Sequence, residues 1–228
     1  NIQNIFILTL TLNHIERRSA MEVNEELKKY INKNIFPEYE KNESAHDINH
    51  IKYVIDRSMK FAEEVPEINI DMAYTIAAYH DIGHHIDAKN HEKVSAEILE
   101  HDKGLKKFFA DDQIKMMKEA VEDHRASSDH EPRTIYGKIV SSADRNTDIE
   151  SSIKRTYSYT KKHNPNLTLD ELIEKSRQHL IEKFGIGGYA TSKMYFKDEE
   201  YEKYLRDLTE LTSNKGEFTK IYKKINKL

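Results

Sequence analysis

The sequence predicts an all-α protein, a single helical domain with a C-terminal helical extension, on three observations. Apolar residues recur three and four apart in one window after another, the period of a helix face. Only 7 glycines and 4 prolines punctuate 228 residues, too few for many short strands and their turns. No window alternates apolar with polar residues as a half-buried strand would. The length suits one sizeable core.

The elements follow in order. Glu22–Ile35 reads as a helix, stopped by Pro37. His46–Phe61 carries Ile51, Val54, Ile55, Ser58 and Met59 on one face, and Pro66 breaks the chain after it. Asp71–Asp81 sets Ala73, Ala77, His80 and His84 three and four apart, with Gly83 ending or bending the helix. His91–Glu100 turns Val94, Ile98 and Leu99 inward, and Asp112–His124 keeps Ile114, Met117, Val121 and His124 in register. Beyond Pro132, Tyr136–Tyr159 reads as one bent helix. Thr168, with Glu171 three residues on, forms a capping box that opens a helix running to about Phe184. FGIGGYA at 184–190 supplies flexibility, and Asp198–Leu211 and Glu217–Ile225 close the chain as helices.

Residues 1–20 stand apart from the expected domain at 21–228. Ile5–Leu12 is apolar but too short to span a bilayer, and it lacks the basic region and small-residue cleavage site of a signal peptide. Met21, entering EVNEELKKYINKNIF, reads as a natural start and residues 1–20 as a leader or non-native segment. A helix packing on the domain is the alternative. The chain has no cysteine, which excludes disulfides and thiolate metal sites and fits a reducing cytosol. The expected location is therefore cytoplasmic, without membrane contact. A net charge of -4 argues against binding a nucleic-acid polymer, so positive charge for any phosphate must be local. Oligomeric state stays open, a homo-oligomer included.

The chemistry concentrates in AAYHDIGHHIDAKNH, from Ala77 to His91, with His50 upstream and His124 and Asp144 downstream. Imidazole and carboxylate together suit Mn, Fe, Zn or similar divalent ions. Apart from the adjacent pair His80-Asp81, each comes from a different helix, and a bundle can converge such residues. Neighbours on a helix point about 100° apart, so His80 and Asp81 can share an ion only near the helix end. A nitrogen–oxygen set with open positions fits a hydrolytic site better than a closed structural one.

In HDINHIKYV, AAYHDIG and GKIVSSADR, the residues His50, His80-Asp81 and Asp144 resemble the H…HD…D signature of the HD-domain superfamily of metal-dependent phosphohydrolases. The resemblance covers roughly residues 46–150 and leaves the helices of 168–228 outside it. It implies a helical bundle of the HD type. It also implies that His50, His80, Asp81 and Asp144 hold one divalent cation, which could be Mn, Fe, Mg, Ni or Zn. Branches with two metals carry extra histidines where His91 and His124 stand. These two are thus candidate ligands of a second ion or contacts to substrate phosphate, against the alternative of satisfied core or capping histidines. The implied activity is hydrolysis of a phosphate ester or anhydride in a small phosphorylated metabolite, foremost a nucleotide, by metal-activated water. A nonenzymatic nucleotide or metal sensor on the same scaffold is the competing reading.

Further residues take roles around that centre. Asp81, His84, His124 and Arg125 are the candidate catalytic groups, with His84 four residues after His80 or else merely exposed. His91, Arg125, Arg133, Lys138 and Arg145 are candidate substrate contacts, since guanidinium grips phosphate bidentately. Arg145 has a structural ion pair as its alternative, with Asp148 or Glu122. Asp123 either serves a ligand or water, or is a solvated helix-end acid. Tyr189 and Lys193 are candidates for a pocket mouth. His46 is expected to cap or pack its helix, and His85, His101 and His130 to face solvent. Two special branches are discounted. No GYP follows the paired histidines, as in the cyclic-di-GMP phosphodiesterases, and Ile82-Gly83-His84-His85 stands where the alarmone hydrolases carry Glu-Asp.

Overall fold

A computed structural model describes residues 22–42, 46–191 and 194–228. Among them are ten α-helices, two short 3-10 segments and no strand, the all-α class that the periodicity predicts. The expectations for residues 1–20 and for Lys193 lie outside the described residues. Among the described residues no helix is long and apolar enough to cross a membrane.

The chain divides into two compact units. The first runs to His124 and takes in Pro132–Ala143. It contains α1 (Glu25–Asn34), α2 (Ile48–Ala62), α3 (Ile70–Tyr79), α4 (His91–His101), α5 (Asp111–Glu122) and α6 (Ile135–Ala143). At its centre is α3, which touches all five of the others. Every residue of α3 except Asp71 is buried, because IDMAYTIAAY offers small or apolar groups on all sides rather than one stripe. The starts of α1, α2 and α3 are set by side-chain caps. Asp47 accepts from the backbone N–H groups of Asn49 and His50 at 2.8 and 3.1 Å, opening α2 with His50 in its first turn. Asn69 accepts from Met72 N–H at 3.2 Å to open α3.

Two polar links tie this unit together. Asp102, just past α4, accepts from the Tyr30 and Tyr79 hydroxyls at 2.5 Å each and from Gly104 N–H at 2.8 Å. Arg57 on α2 is buried and donates from Nε to the Ala143 carbonyl at 3.0 Å. That satisfies a carbonyl at the end of α6, where helices leave acceptors unpaired, and it fixes the backbone just before Asp144.

The second unit holds Arg125–Glu131 and everything from Asp144 onward. Its helices are α7 (Ile149–His163), α8 (Leu169–Phe184), α9 (Glu199–Ser213) and α10 (Lys215–Asn226). They pack around Ile153, Leu180, Phe184, Tyr204, Leu208 and Phe218. The Thr168–Glu171 capping box forms as predicted, with Glu171 N–H on Thr168 Oγ1 and Thr168 N–H on Glu171 Oε2. The single bent helix expected over Tyr136–Tyr159 is two helices. Asp148 turns its carboxylate onto the N–H groups of Glu150 and Ser151, so it starts α7 instead of continuing α6. The 184–190 stretch is a tied turn. Gly187 takes φ +78, the left-handed region that favours glycine, while Ala190 N–H returns to the Lys183 carbonyl at 3.0 Å.

Candidate metal centre

His80, Asp81, His91 and His124 are buried together in the first unit. His80 caps the end of α3, His91 opens α4, and His124 lies just past α5. After Tyr79 the chain runs through consecutive turns, with Ile82 N–H on the Tyr79 carbonyl and His84 N–H on the Asp81 carbonyl. Gly83 permits this path. A Cβ there would stand 2.7 Å from Val94 Cγ1 and 2.8 Å from Ser95 N, and Gly83 N–H donates to Ser95 Oγ at 2.9 Å. The His-Asp turn thus sits directly on α4, the helix that His91 opens.

The three buried imidazoles share one tether. His80 Nδ1 lies 2.8 Å from the Ala77 carbonyl, His91 Nδ1 3.1 Å from that of Ala88, and His124 Nδ1 2.7 Å from that of Val121. A carbonyl only accepts, so each Nδ1 carries the proton and each neutral ring presents Nε2 as a lone pair. His91 Nε2 and His124 Nε2 are 3.2 Å apart. Two lone pairs at that distance need a proton or a cation between them. Asp81 Oδ1 lies 3.2 Å from His91 Nε2 and 3.5 Å from His124 Nε2. Asp81 Oδ2 faces His46 Nδ1 at 2.7 Å, His80 Nε2 at 3.4 Å and His50 Nε2 at 3.5 Å. One carboxylate therefore has imidazoles at both oxygens. One ligand atom from each of His46, His50 and Asp81, and likewise from each of Asp81, His91 and His124, lies within 4.8 Å of the others.

Burial by itself raises the Asp81 carboxyl; the surrounding imidazoles, His80 first and then His124, His46 and His50, outweigh it and hold the group well below the usual carboxylate range. Burial pushes the His124 imidazole down, against the pull of Asp81. The donor set is thus an ionised carboxylate among imidazoles, at least one of which resists protonation. His80 Nε2 and Asp81 Oδ1 are both buried with no hydrogen-bond partner of good geometry. Such atoms carry a desolvation cost unless something binds them, and a divalent cation fits them. Nitrogen and carboxylate oxygen are the ligand types that Mn, Fe, Ni and Zn accept.

Residues 47–147 match the family model described as the HD domain. That stretch, less than half of the chain, is similar to the HD domain. No curated protein and no solved structure matches the chain. The matched stretch begins at Asp47, the cap of α2, and runs through α6 to just past Asp144. HD domains define a superfamily of metal-dependent phosphohydrolases, and the buried His/Asp cluster is compatible with a divalent ion.

The remaining candidates are placed unequally. His84 is half-buried, its ring stacked on that of His46 at 3.8 Å and lying 5.1 Å from that of His91. Arg133, expected to contact phosphate, is engaged by the protein itself. Its Nη2 and Nε reach the Asp123 carboxylate at 2.8 and 3.0 Å, and Nη2 also meets Glu122 Oε2 at 2.5 Å. Asp123 is buried rather than solvated, and it takes the Arg133 backbone N–H at 2.7 Å as well. A buried carboxylate needs such a partner, and Arg133 supplies it while staying exposed itself. Lys138 is half-buried on α6. Arg125, Asp144 and Arg145 belong to the second unit, Arg145 being buried there. In the same unit the Lys183 ammonium is pushed down by burial and then by Arg155, with Arg145 and Arg125 adding and Asp144 opposing. Neither Lys183 nor Arg155 stands in any motif, so spacing had no means of finding them.

His46 is the main site residue that the sequence reading underrated. Instead of only capping or packing α2, it hydrogen-bonds the Asp81 carboxylate. The available signal was its place in the HDINH run itself, although His46 lies ahead of Asp47, the cap of α2, and outside the helix.

Proposed function

We propose that this chain is a metal-dependent phosphohydrolase of the cytoplasm. It would cleave an ester or anhydride bond in a small phosphorylated metabolite, foremost a nucleotide. The observation that carries this reading is the set of buried Nε2 lone pairs on His80, His91 and His124 converging on the ionised Asp81. By the order of the HD motif, His50, His80, Asp81 and Asp144 are the ligands of one cation, and Asp81 Oδ1 with His91 and His124 offers a place for a second. When bound, such a cation lowers the pKa of water and offsets charge on a phosphoryl oxygen.

The chain's own residues supply the rest. The carbonyls of Ala77, Ala88 and Val121 hold the tautomers that keep each Nε2 available, the outer contact that orients ligand histidines. Burial around Asp81 excludes bulk water and strengthens every charge interaction there. His84, half-buried beside His46 and His91, is the group at the rim for passing a proton to the leaving oxygen. Arg125, Lys138 and Arg145 remain the cations assigned to phosphate, and Arg133 does not.

A panel of nucleotides and phosphorylated metabolites, incubated with Mn-, Fe- and Mg-loaded protein, tests the reading. Release of phosphate or pyrophosphate from at least one compound, abolished in Asp81→Ala, is expected. Bound metal with no turnover across the panel would contradict hydrolysis and favour the sensor.

A further inference from the structure

We infer that His46 is a positioning residue of the metal centre, holding the Asp81 carboxylate in the orientation that ligation requires. The inference rests on the metal-binding part of the reading above, not on hydrolysis.

The geometry separates His46 from the other histidines. His80, His91 and His124 direct Nδ1 at a backbone carbonyl and leave Nε2 for an ion. His46 instead directs Nδ1 at Asp81 Oδ2, at 2.7 Å. An ionised carboxylate only accepts, so His46 donates, as the outer partners of ligating carboxylates do. A carboxylate has a nearly free torsion about its last bond. This single N–H fixes it, with Oδ2 toward His46 and Oδ1 toward His91 and His124.

The backbone around His46 is built to hold that bond. Asn42 Nδ2 donates to the His46 carbonyl at 3.1 Å and to the Asp81 carbonyl at 3.0 Å, while Asn42 Oδ1 accepts His85 N–H at 3.0 Å. One amide side chain thus joins the segment bearing His46 to the turn bearing Asp81. The His84 ring, stacked 3.8 Å from that of His46, covers its face. Donor and acceptor are therefore brought together before any ion arrives.

Calorimetric titration of metal-free protein with Mn2+ alone, for His46→Ala, His46→Asn and His46→Gln beside the parent, tests this. Asparagine places an amide N–H where Nδ1 stands, and glutamine places it one bond further out. His46→Ala should weaken Mn2+ about 10–100-fold at unchanged stoichiometry. His46→Asn should recover most of the affinity, and His46→Gln should not. Parent-like affinity in His46→Ala overturns the inference. So does outright loss of one Mn2+ equivalent in both His46→Ala and His46→Asn, which would make His46 a ligand. If His46→Ala fails to fold, the asparagine–glutamine contrast decides, and equal affinities of those two variants refute positioning. A parent protein that binds no Mn2+ refutes the inference together with the metal centre. A parent that binds Mn2+ but hydrolyses nothing refutes only the enzymatic reading.

Discussion

Gly83→Ala is the substitution that most sharply tests how the His-Asp turn is seated. The added Cβ would lie 2.7 Å from Val94 Cγ1 and 2.8 Å from the backbone N of Ser95, well inside ordinary contact at 3.4 Å. Val94 is a stiff β-branched side chain, and the other neighbour is backbone of α4, so the turn must move away by roughly 0.7 Å at its closest point. Overpacking of this kind costs about 1–3 kcal/mol. Loss of the 2.9 Å bond from Gly83 N–H to Ser95 Oγ adds about 1 kcal/mol. Relief of unfolded-state entropy returns about 0.4–1 kcal/mol. A net loss of about 1–4 kcal/mol corresponds to a melting temperature lower by roughly 2–14 °C for a chain of this size. Thermal unfolding followed by circular dichroism measures it. Ser95→Ala, which removes only the acceptor, should fall between Gly83→Ala and the parent. A Gly83→Ala protein that melts within a degree of the parent would refute the close approach, and with it the seating of the turn on α4.

Other outcomes follow from single contacts. Arg133→Ala strips the buried Asp123 of its charged partner and should cost about 2 kcal/mol, seen as a lower melting temperature with KM for any substrate unchanged; a raised KM at parental stability would return Arg133 to the substrate. Asp102→Asn leaves one carbonyl to serve the Tyr30 and Tyr79 hydroxyls and should cost about 1–2 kcal/mol in urea unfolding, whereas an unchanged midpoint would refute that link between α1, α3 and the end of α4. Hydrogen bonds from Arg177 first, then Gln178 and Lys215, hold the Glu174 carboxyl at about 2 against an ordinary 4.5. Its folded value is depressed, so its contribution is complete above pH 4.5 and fades as pH falls toward 2. Glu174 is partly exposed and screened, so Glu174→Gln should lose under about 1 kcal/mol at neutral pH, with the gap to the parent closing on acidification; a gap that widens would reverse the sign.

The helices were legible because the chain is helical by period and poorly supplied with breakers. Most boundaries depart from the periodic reading by only a few residues, and Thr168 was recognisable as a cap from Glu171 alone. The main break that spacing missed, between α6 and α7, depends on Asp148 choosing the N–H groups of Glu150 and Ser151, a local competition that apolar period does not register. The amphipathic face assigned to α3 was likewise too narrow, since burial on every side follows from how many neighbours surround it. At the site, the HD motif pointed to His80 and Asp81, which lie buried together, and to His50, whose Nε2 lies 3.5 Å from Asp81 Oδ2. It could not foresee the tautomers, which depend on the carbonyls of Ala77, Ala88 and Val121. It could not foresee the pairing of Arg133 with Asp123 either, because Asp123 reads as an ordinary helix-end acid until its burial is known. His46 shows the same limit: its partner Asp81 is 35 residues away, and only folding brings the two together.

The central claim is that imidazole lone pairs and the Asp81 carboxylate converge to hold a divalent cation. The most direct test is the metal content of purified protein after loading with Mn2+ and desalting, compared with Asp81→Ala and His80→Ala at matched folded fraction. At least one ion per parent chain, with little or none in either variant, is the predicted result. A parent chain that retains no ion, or variants that retain as much as the parent, would contradict the claim.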